Sequence, residues 1–195
     1  MKLSRKELSS ISRRDFLKAS GLSAGGLVIG VSLPTGVLGS VHDSSFEPNA
    51  FVYIAPNGDT TIHCGRCEMG QGISTALPAA VADELEADWS RVRVLQGDAD
   101  KKYGPQATGG SQSINTMLGP MRKAGAAGKE MLIAAAAAQW GLPAGKCYAK
   151  SHAVHNKADE RTLPYSELVA AASQMEVPAE PVLKTRDQFR YMGKP

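Results

Sequence analysis

The chain has 195 residues, with 22 Lys and Arg against 19 Asp and Glu, and it is 43% hydrophobic and 21% charged. That composition is globular and excludes disorder and collagen-like repeats, and the length allows one ordinary domain after a leader. Residues 1–39 hold six basic and two acidic side chains, leaving 16 basic and 17 acidic among the other 156. The surplus charge therefore belongs to the leader, and nucleic-acid binding loses its electrostatic argument. Three cysteines are too few for a disulfide scaffold.

In the leader, Ser12-Arg13-Arg14-Asp15-Phe16-Leu17-Lys18 fits the twin-arginine export signature, and an uncharged, glycine-containing run follows from Ala19 to His42. Residues 1–39 are read as a signal segment, cleaved near Gly39 or Ser40, with an uncleaved membrane anchor as the alternative. The expectation is a periplasmic protein exported through the twin-arginine translocase.

Phe51–Ile54 and Thr60–His63 flank Pro56-Asn57-Gly58-Asp59, a hairpin signal. Cys64–Gly72 reads as loop. Leu77, Val81 and Leu85 recur every four residues and predict a helix over about 74–88. Pro78 is expected in its first turn, so the helix should start right after Gly70-Gln71-Gly72. Val92–Leu95 reads as a strand and Gly97–Gly110 as a loop. A long helical face then runs from about Ser111 to Trp140, kinked or split at Gly119-Pro120. Its middle, Ala124–Gly128, allows close approach of another backbone or a flat ligand. Cys147–Lys150 and Ala153–His155 suggest a second hairpin, with His152 and His155 on opposite faces of a strand. Tyr165–Met175 reads as a last short helix, followed by an extended tail.

Two glycine loops carry the chemistry. Glu68-Met69-Gly70-Gln71-Gly72-Ile73-Ser74-Thr75 places backbone N–H groups and a side-chain amide at a helix N-terminus, which suits an oxygen-rich ligand or serves as a plain helix-entrance turn. Thr108-Gly109-Gly110-Ser111-Gln112-Ser113 repeats the arrangement, and Ser111 is either a cofactor contact or a simple N-cap. Dinucleotide, P-loop and nucleophile-elbow patterns all fail, because Thr75 stands where a third glycine belongs, no Gly-Lys-Ser/Thr follows, and Ser113 stands where the elbow needs glycine. Cys64-Gly65-Arg66-Cys67 has C-x-x-C spacing but no second half of a zinc site, and Cys147 is read as a small buried residue. Asp98 and Asp100 are read as turn residues.

Taken in order, these segments resemble the N-terminal part of the molybdenum-cofactor-binding large subunit of the xanthine oxidase family, in the branch of isoquinoline 1-oxidoreductase beta-subunits and periplasmic aldehyde dehydrogenases. The carriers are the leader, Glu68-Met69-Gly70-Gln71-Gly72 with Thr75, Ala82-Asp83-Glu84-Leu85, Gly97-Asp98, Thr108-Gly109-Gly110-Ser111, Arg122–Ala126, Tyr165–Leu168 and Phe189–Lys194. The resemblance implies an α+β fold, with short strands and hairpins on two or three helices. Residues 40–178 would form part of a larger cofactor-binding domain, and 179–195 an extended tail toward a missing next domain. It implies a molybdenum pyranopterin in its cytosine dinucleotide form, held by Gly70, Gln71, Gly72, Gly109, Gly110 and Ser111, with Gln71 beside the metal's oxo ligand. It further implies hydroxylation of an aldehyde or N-heterocycle with oxygen from water. Electrons would pass to iron–sulfur clusters on a partner subunit and onward to a cytochrome c. The family's catalytic glutamate belongs to a later segment, so no catalytic base and no protein ligand to a metal is assigned here. The expectation is the front part of such an enzyme, from truncation, split gene or frameshift. The alternative is an exported non-catalytic binding or assembly module with the same fold.

Overall fold

The computed structural model describes residues 27–30, 50–100 and 103–194. The leader motif Ser12–Lys18, the proposed cleavage region and most of residues 1–39 lie outside the described residues. Within that span only Leu27–Gly30 is described, as an edge strand, β1, pairing antiparallel with β2 (Ala50–Ile54). Asn57 and Gly58 turn the chain from β2 into β3 (Thr60–Cys64), with Ile54 opposite Thr60. The α1 helix (Ile73–Leu85) then carries the chain over to β4 (Val92–Gln96), which runs parallel to β3 with Cys64 opposite Gln96. The sheet order is β1-β2-β3-β4. Alternation on β3 puts Thr60, Ile62 and Cys64 into the core.

The α2 helix (Gln112–Trp140) packs along α1. The predicted stripe Leu77, Val81 and Leu85 is buried against it. Of the kink or split expected at Gly119-Pro120, the split does not occur. The helix is continuous for 29 residues, because Met117, Met121 and Ala124, all buried, hold both sides of the proline against the core. Pro78 also lies deeper than expected, in the second turn of α1 and itself buried. The small-residue run Ala124–Gly128 is buried inside this chain. At Gly125 a Cβ would lie 2.5 Å from the Val81 carbonyl oxygen and 2.9 Å from Glu84 Cβ, so the run serves backbone approach between α1 and α2, leaving no room there for a flat ligand.

Beyond α2, β5 (Cys147–Lys150), β6 (Ala153–Asn156) and β7 (Thr162–Pro164) form an antiparallel sheet, and α3 (Tyr165–Ala172) returns against α2. The three-residue β7 was not anticipated. His152 is in the β5–β6 turn with φ 67°, not on a strand, and is buried, while His155 stays in β6. The His152 ring accepts from the Asp88 N–H at 3.1 Å and pairs with the Gly58 carbonyl at 2.6 Å, so the turn is bolted to the far hairpin. Tyr165, fully buried, donates to the Leu85 carbonyl at 2.6 Å.

The tail does not project outward. Asp83 and Glu84, both without solvent exposure, fasten it to α1. Asp83 accepts from the N–H groups of Arg190, Tyr191 and Met192. Glu84 accepts from the Lys184 N–H at 3.0 Å and pairs with Arg122. Arg122 in turn donates to the Lys184 carbonyl and lies over the Phe189 ring. Among the described residues no helix is long and apolar enough to cross a membrane.

Candidate functional site

Parallel pairing of β3 with β4 sends two loops out from the same edge of the sheet, where open α/β units place ligand crevices. The loop after β3 is Gly65–Gly72 and leads into α1. The loop after β4 starts at Gly97 and leads into α2 through Gly109-Gly110-Ser111. Their bases are sewn together, since the Gly97 N–H and the Gln96 amide both donate to the Cys64 carbonyl, at 2.8 and 3.1 Å. Tyr103 wedges into this junction. A Cβ at Gly97 would meet its ring at 2.9 Å, and one at Gly65 would meet its Cβ at 3.0 Å. Gln106 closes the neck of the second loop, donating to the Asp98 carbonyl at 2.7 Å and accepting from the Asp100 N–H at 3.1 Å.

The six predicted cofactor residues come to this one edge and are all exposed. Gly70, Gly72 and Gly110 have φ of 92°, 80° and 53°, and a Cβ on any of them, or on Gly109, would meet nothing within 4 Å. The glycines thus combine a left-handed backbone with open ground above it. Ser111 departs from the N-cap reading: it has φ 58° and its side chain makes no capping bond.

The first loop is braced from within. The Glu68 carboxylate accepts from the N–H groups of Gly70, Gly72 and Ser74 at 2.8 to 2.9 Å and from the Ser74 hydroxyl at 2.7 Å. These bonds, that of the Ser74 side chain first, hold its pKa down at about 2. Three donors expected to face a ligand are therefore already engaged. Gln71 is oriented as well: its amide donates to the Cys67 carbonyl at 2.8 Å and its Oε1 accepts from the Met69 N–H at 2.6 Å. A primary amide has two N–H donors and two lone pairs, so one of each remains for an outer group.

The two loops are linked by Arg66, which sequence reasoning passed over. Its guanidinium donates to the Ala107 carbonyl at 2.6 Å and to Thr116 Oγ1 at 2.9 Å, and the residue is only 4% exposed. Burial lowers its pKa. Cys64 is buried, with its thiol pKa raised by that burial, and Cys67 is exposed; both are free thiols. No spacing rule flags Arg66 or Glu68, although Glu68 with Gly70, Gly72 and Ser74 at alternate positions is a pattern that could have been tested.

The chain matches the molybdopterin cofactor-binding domain family over residues 5–194. It belongs to that family. Among relatives, it is 38% identical over 173 residues to the membrane-bound aldehyde dehydrogenase [pyrroloquinoline-quinone] of Gluconacetobacter polyoxogenes, and 36% identical over 177 residues to the isoquinoline 1-oxidoreductase subunit beta of Brevundimonas diminuta. Each alignment covers 85% of this chain and 22% of the relative, so the chain spans about a fifth of the length of either. The fold is similar to that of quinoline 2-oxidoreductase from Pseudomonas putida 86, with TM-score 0.52 and 23% identity, covering 85% of this chain and 22% of that one. The mixed α+β architecture and the xanthine oxidase-type resemblance read from the sequence both hold. The relatives are oxidoreductases by name, and this member of the molybdopterin-binding family carries the Gly-Gln-Gly and Gly-Gly-Ser loops on one sheet edge.

Proposed function

We propose that this chain forms the front part of a periplasmic molybdenum hydroxylase and presents the Gly-Gln-Gly face to a molybdenum pyranopterin in its cytosine dinucleotide form. The observation that carries the reading is Gln71, held by Cys67 and Met69 with one N–H and one lone pair left unused on an exposed loop. The open left-handed glycines fit a flat, oxygen-rich group, since no side chain stands over them. Gly70, Gln71 and Gly72 would hold its metal end, and Gly109, Gly110 and Ser111 a second part. When bound, such a cofactor supplies hydroxylation of an aldehyde or N-heterocycle carbon with oxygen from water, and the electrons leave through an iron–sulfur subunit toward a cytochrome c. Gln71 orients that group by hydrogen bonding, an interaction worth most in a water-poor site. The rest of the large subunit supplies the proton-transferring group and closes the site against water.

In the assembled enzyme, Gln71→Ala is expected to keep its molybdenum and lose turnover by about ten-fold or more, which corresponds to about 1.4 kcal/mol per decade. Gly72→Val puts a branched side chain at φ 80° and over the cofactor ground, so molybdenum content itself should fall. Full turnover in Gln71→Ala together with full molybdenum in Gly72→Val refutes the assignment.

The proposed route to the periplasm is the twin-arginine translocase, supported by Arg13-Arg14 ahead of the weakly apolar run. A reporter fused to the leader with both arginines changed to lysine should stay in the cytoplasm, and continued export would overturn the route. A non-catalytic module remains the second reading, favoured by one observation: Glu68 already satisfies the loop's own donors. It predicts no molybdenum in any assembled form.

A further inference from the structure

We propose that Arg66 is the positioning residue of this site, tying the two glycine loops together and setting a fixed positive charge beneath them for an anionic group of a ligand that lies across both. The proposal rests on the cofactor-site reading above. Arg66 grips the second loop on both sides. Ala107, whose carbonyl it binds at 2.6 Å, directly precedes Thr108-Gly109-Gly110, and Thr116, bound at 2.9 Å, is one turn into α2. The Thr116 hydroxyl gives its own proton to the Gln112 carbonyl at 2.7 Å, which leaves the oxygen free to accept from Arg66. One side chain from the first loop thus fixes where the second loop begins and where its helix starts.

The charge is the more telling feature. A buried ion is costly unless it is paired or well supplied with hydrogen bonds, and elsewhere this fold obeys that rule: Glu84 pairs with Arg122, Glu86 with Lys184, and Asp83 accepts from three backbone N–H groups. Among the described residues no carboxylate forms an ion pair with Arg66. Glu68, two positions on, is committed to the loop N–H groups and Ser74. Glu68 already sits on the N–H groups that open α1, whereas α2 has no acidic residue in its first turn, so one uncompensated positive helix end adds to the same cation. A neutral amide could link the loops at less desolvation cost. A guanidinium there, with three of its five N–H groups beyond the two named bonds, is accounted for by an anion that arrives with the ligand, and phosphate or pyrophosphate oxygens match that donor set.

The test compares Arg66→Met, Arg66→Gln and Arg66→Lys in the assembled enzyme, reading molybdenum per large subunit alongside the thermal midpoint of the cofactor-free form. Methionine removes an unpaired buried charge at similar volume, so the cofactor-free midpoint should stay level or rise. Molybdenum content should fall about ten-fold or more, a binding loss of about 1.4 kcal/mol per decade. Gln should behave like Met, and Lys, which keeps the charge, should load within about three-fold of the parent, or some 0.7 kcal/mol on the same scale. Equal loading of the Lys and Gln variants overturns the proposal even if the Met variant fails to fold. So does parent-level molybdenum in Met and Gln, or a midpoint that falls in step with loading and is not rescued by Lys. If Arg66→Met loads normally while Gln71→Ala and Gly72→Val behave as proposed, only the role of Arg66 is lost. If those two variants are also silent, the site reading itself has failed.

Discussion

Gly125→Ala is the sharpest probe of the helix pair. Alanine is the better helix former, and in an exposed helix interior the change would stabilise by about 1 kcal/mol. Here the new methyl would lie 2.5 Å from the Val81 carbonyl oxygen, 2.9 Å from Glu84 Cβ and 3.2 Å from Val81 Cα. Two of those atoms are backbone of a fully buried turn, so relief requires α1 and α2 to move apart. Overpacking of this kind costs about 1–3 kcal/mol, and a contact this short belongs at the upper end. The net expectation is a loss of about 2 kcal/mol, or roughly 4–8 °C in thermal midpoint for a domain of this size. Thermal unfolding of the 195-residue chain followed by circular dichroism measures it. A midpoint that is unchanged or higher would show that the helices are not in contact at Gly125, and the explanation of the Ala124–Gly128 run would fall with it.

Asp83→Ala removes the carboxylate that holds the N–H groups of Arg190, Tyr191 and Met192; at the scale of hydrogen bonds to charged groups, about 3 kcal/mol should be lost. Trypsin should then cut at Lys184, Arg186 and Arg190 well before the helices, and a tail as resistant as the parent's contradicts the clamp. Glu68 has a folded pKa of about 2 against an ordinary 4.5, so its bracing of the first loop is fully present above about pH 4.5 and fades as pH falls toward 2. Carboxyl chemical shifts of Glu68 and amide exchange at Gly70 and Gly72 should report one shared transition there, and a Glu68 titrating near 4.5 would refute the four-bond geometry. Burial lowers the His152 pKa, so its contribution is present above the ordinary value of 6.5 and lost as pH falls through the lower folded value. His152→Asn should remove that acid-side slope from the stability curve, and an unaltered slope would assign it elsewhere.

Where local punctuation and packing agree, the sequence was readable. Asn57-Gly58 turns a hairpin, Gly72 opens α1, and the stripe of Leu77, Val81 and Leu85 faces the core as its spacing demands. Reading failed where tertiary contacts outweighed a local rule. Pro120 did not break α2 because apolar residues on both sides of it are buried. Of the two readings of Ser111, the side-chain cap is the one the structure does not bear out, its backbone being left-handed. β7 is three residues long and offers no period to count. Within the site, glycines advertise themselves by composition. Arg66 acts through partners up to 50 residues away and leaves no trace in spacing, whereas Glu68 acts through backbone N–H groups at the alternate positions Gly70, Gly72 and Ser74, a local pattern that was there to be read. Asp83 and Glu84 look like surface charges until the tail arrives to cover them.

The joint between Cys64 and Gly97 makes the second loop a natural place for sequence to grow. Its first root is pinned to the sheet at Cys64 and its far end is held by Arg66, Tyr103 is seated between Gly65 and Gly97, and Gln106 cinches the neck against Asp98 and Asp100. Residues added between Gly104 and Gln106 would balloon outward from a closed collar, and each doubling of such a loop costs only about 0.6 kcal/mol in closure entropy. The mouth can therefore be decorated with new side chains, by drift or by grafting, while the floor at Gly70–Gly72 and Gly109–Ser111 keeps its position.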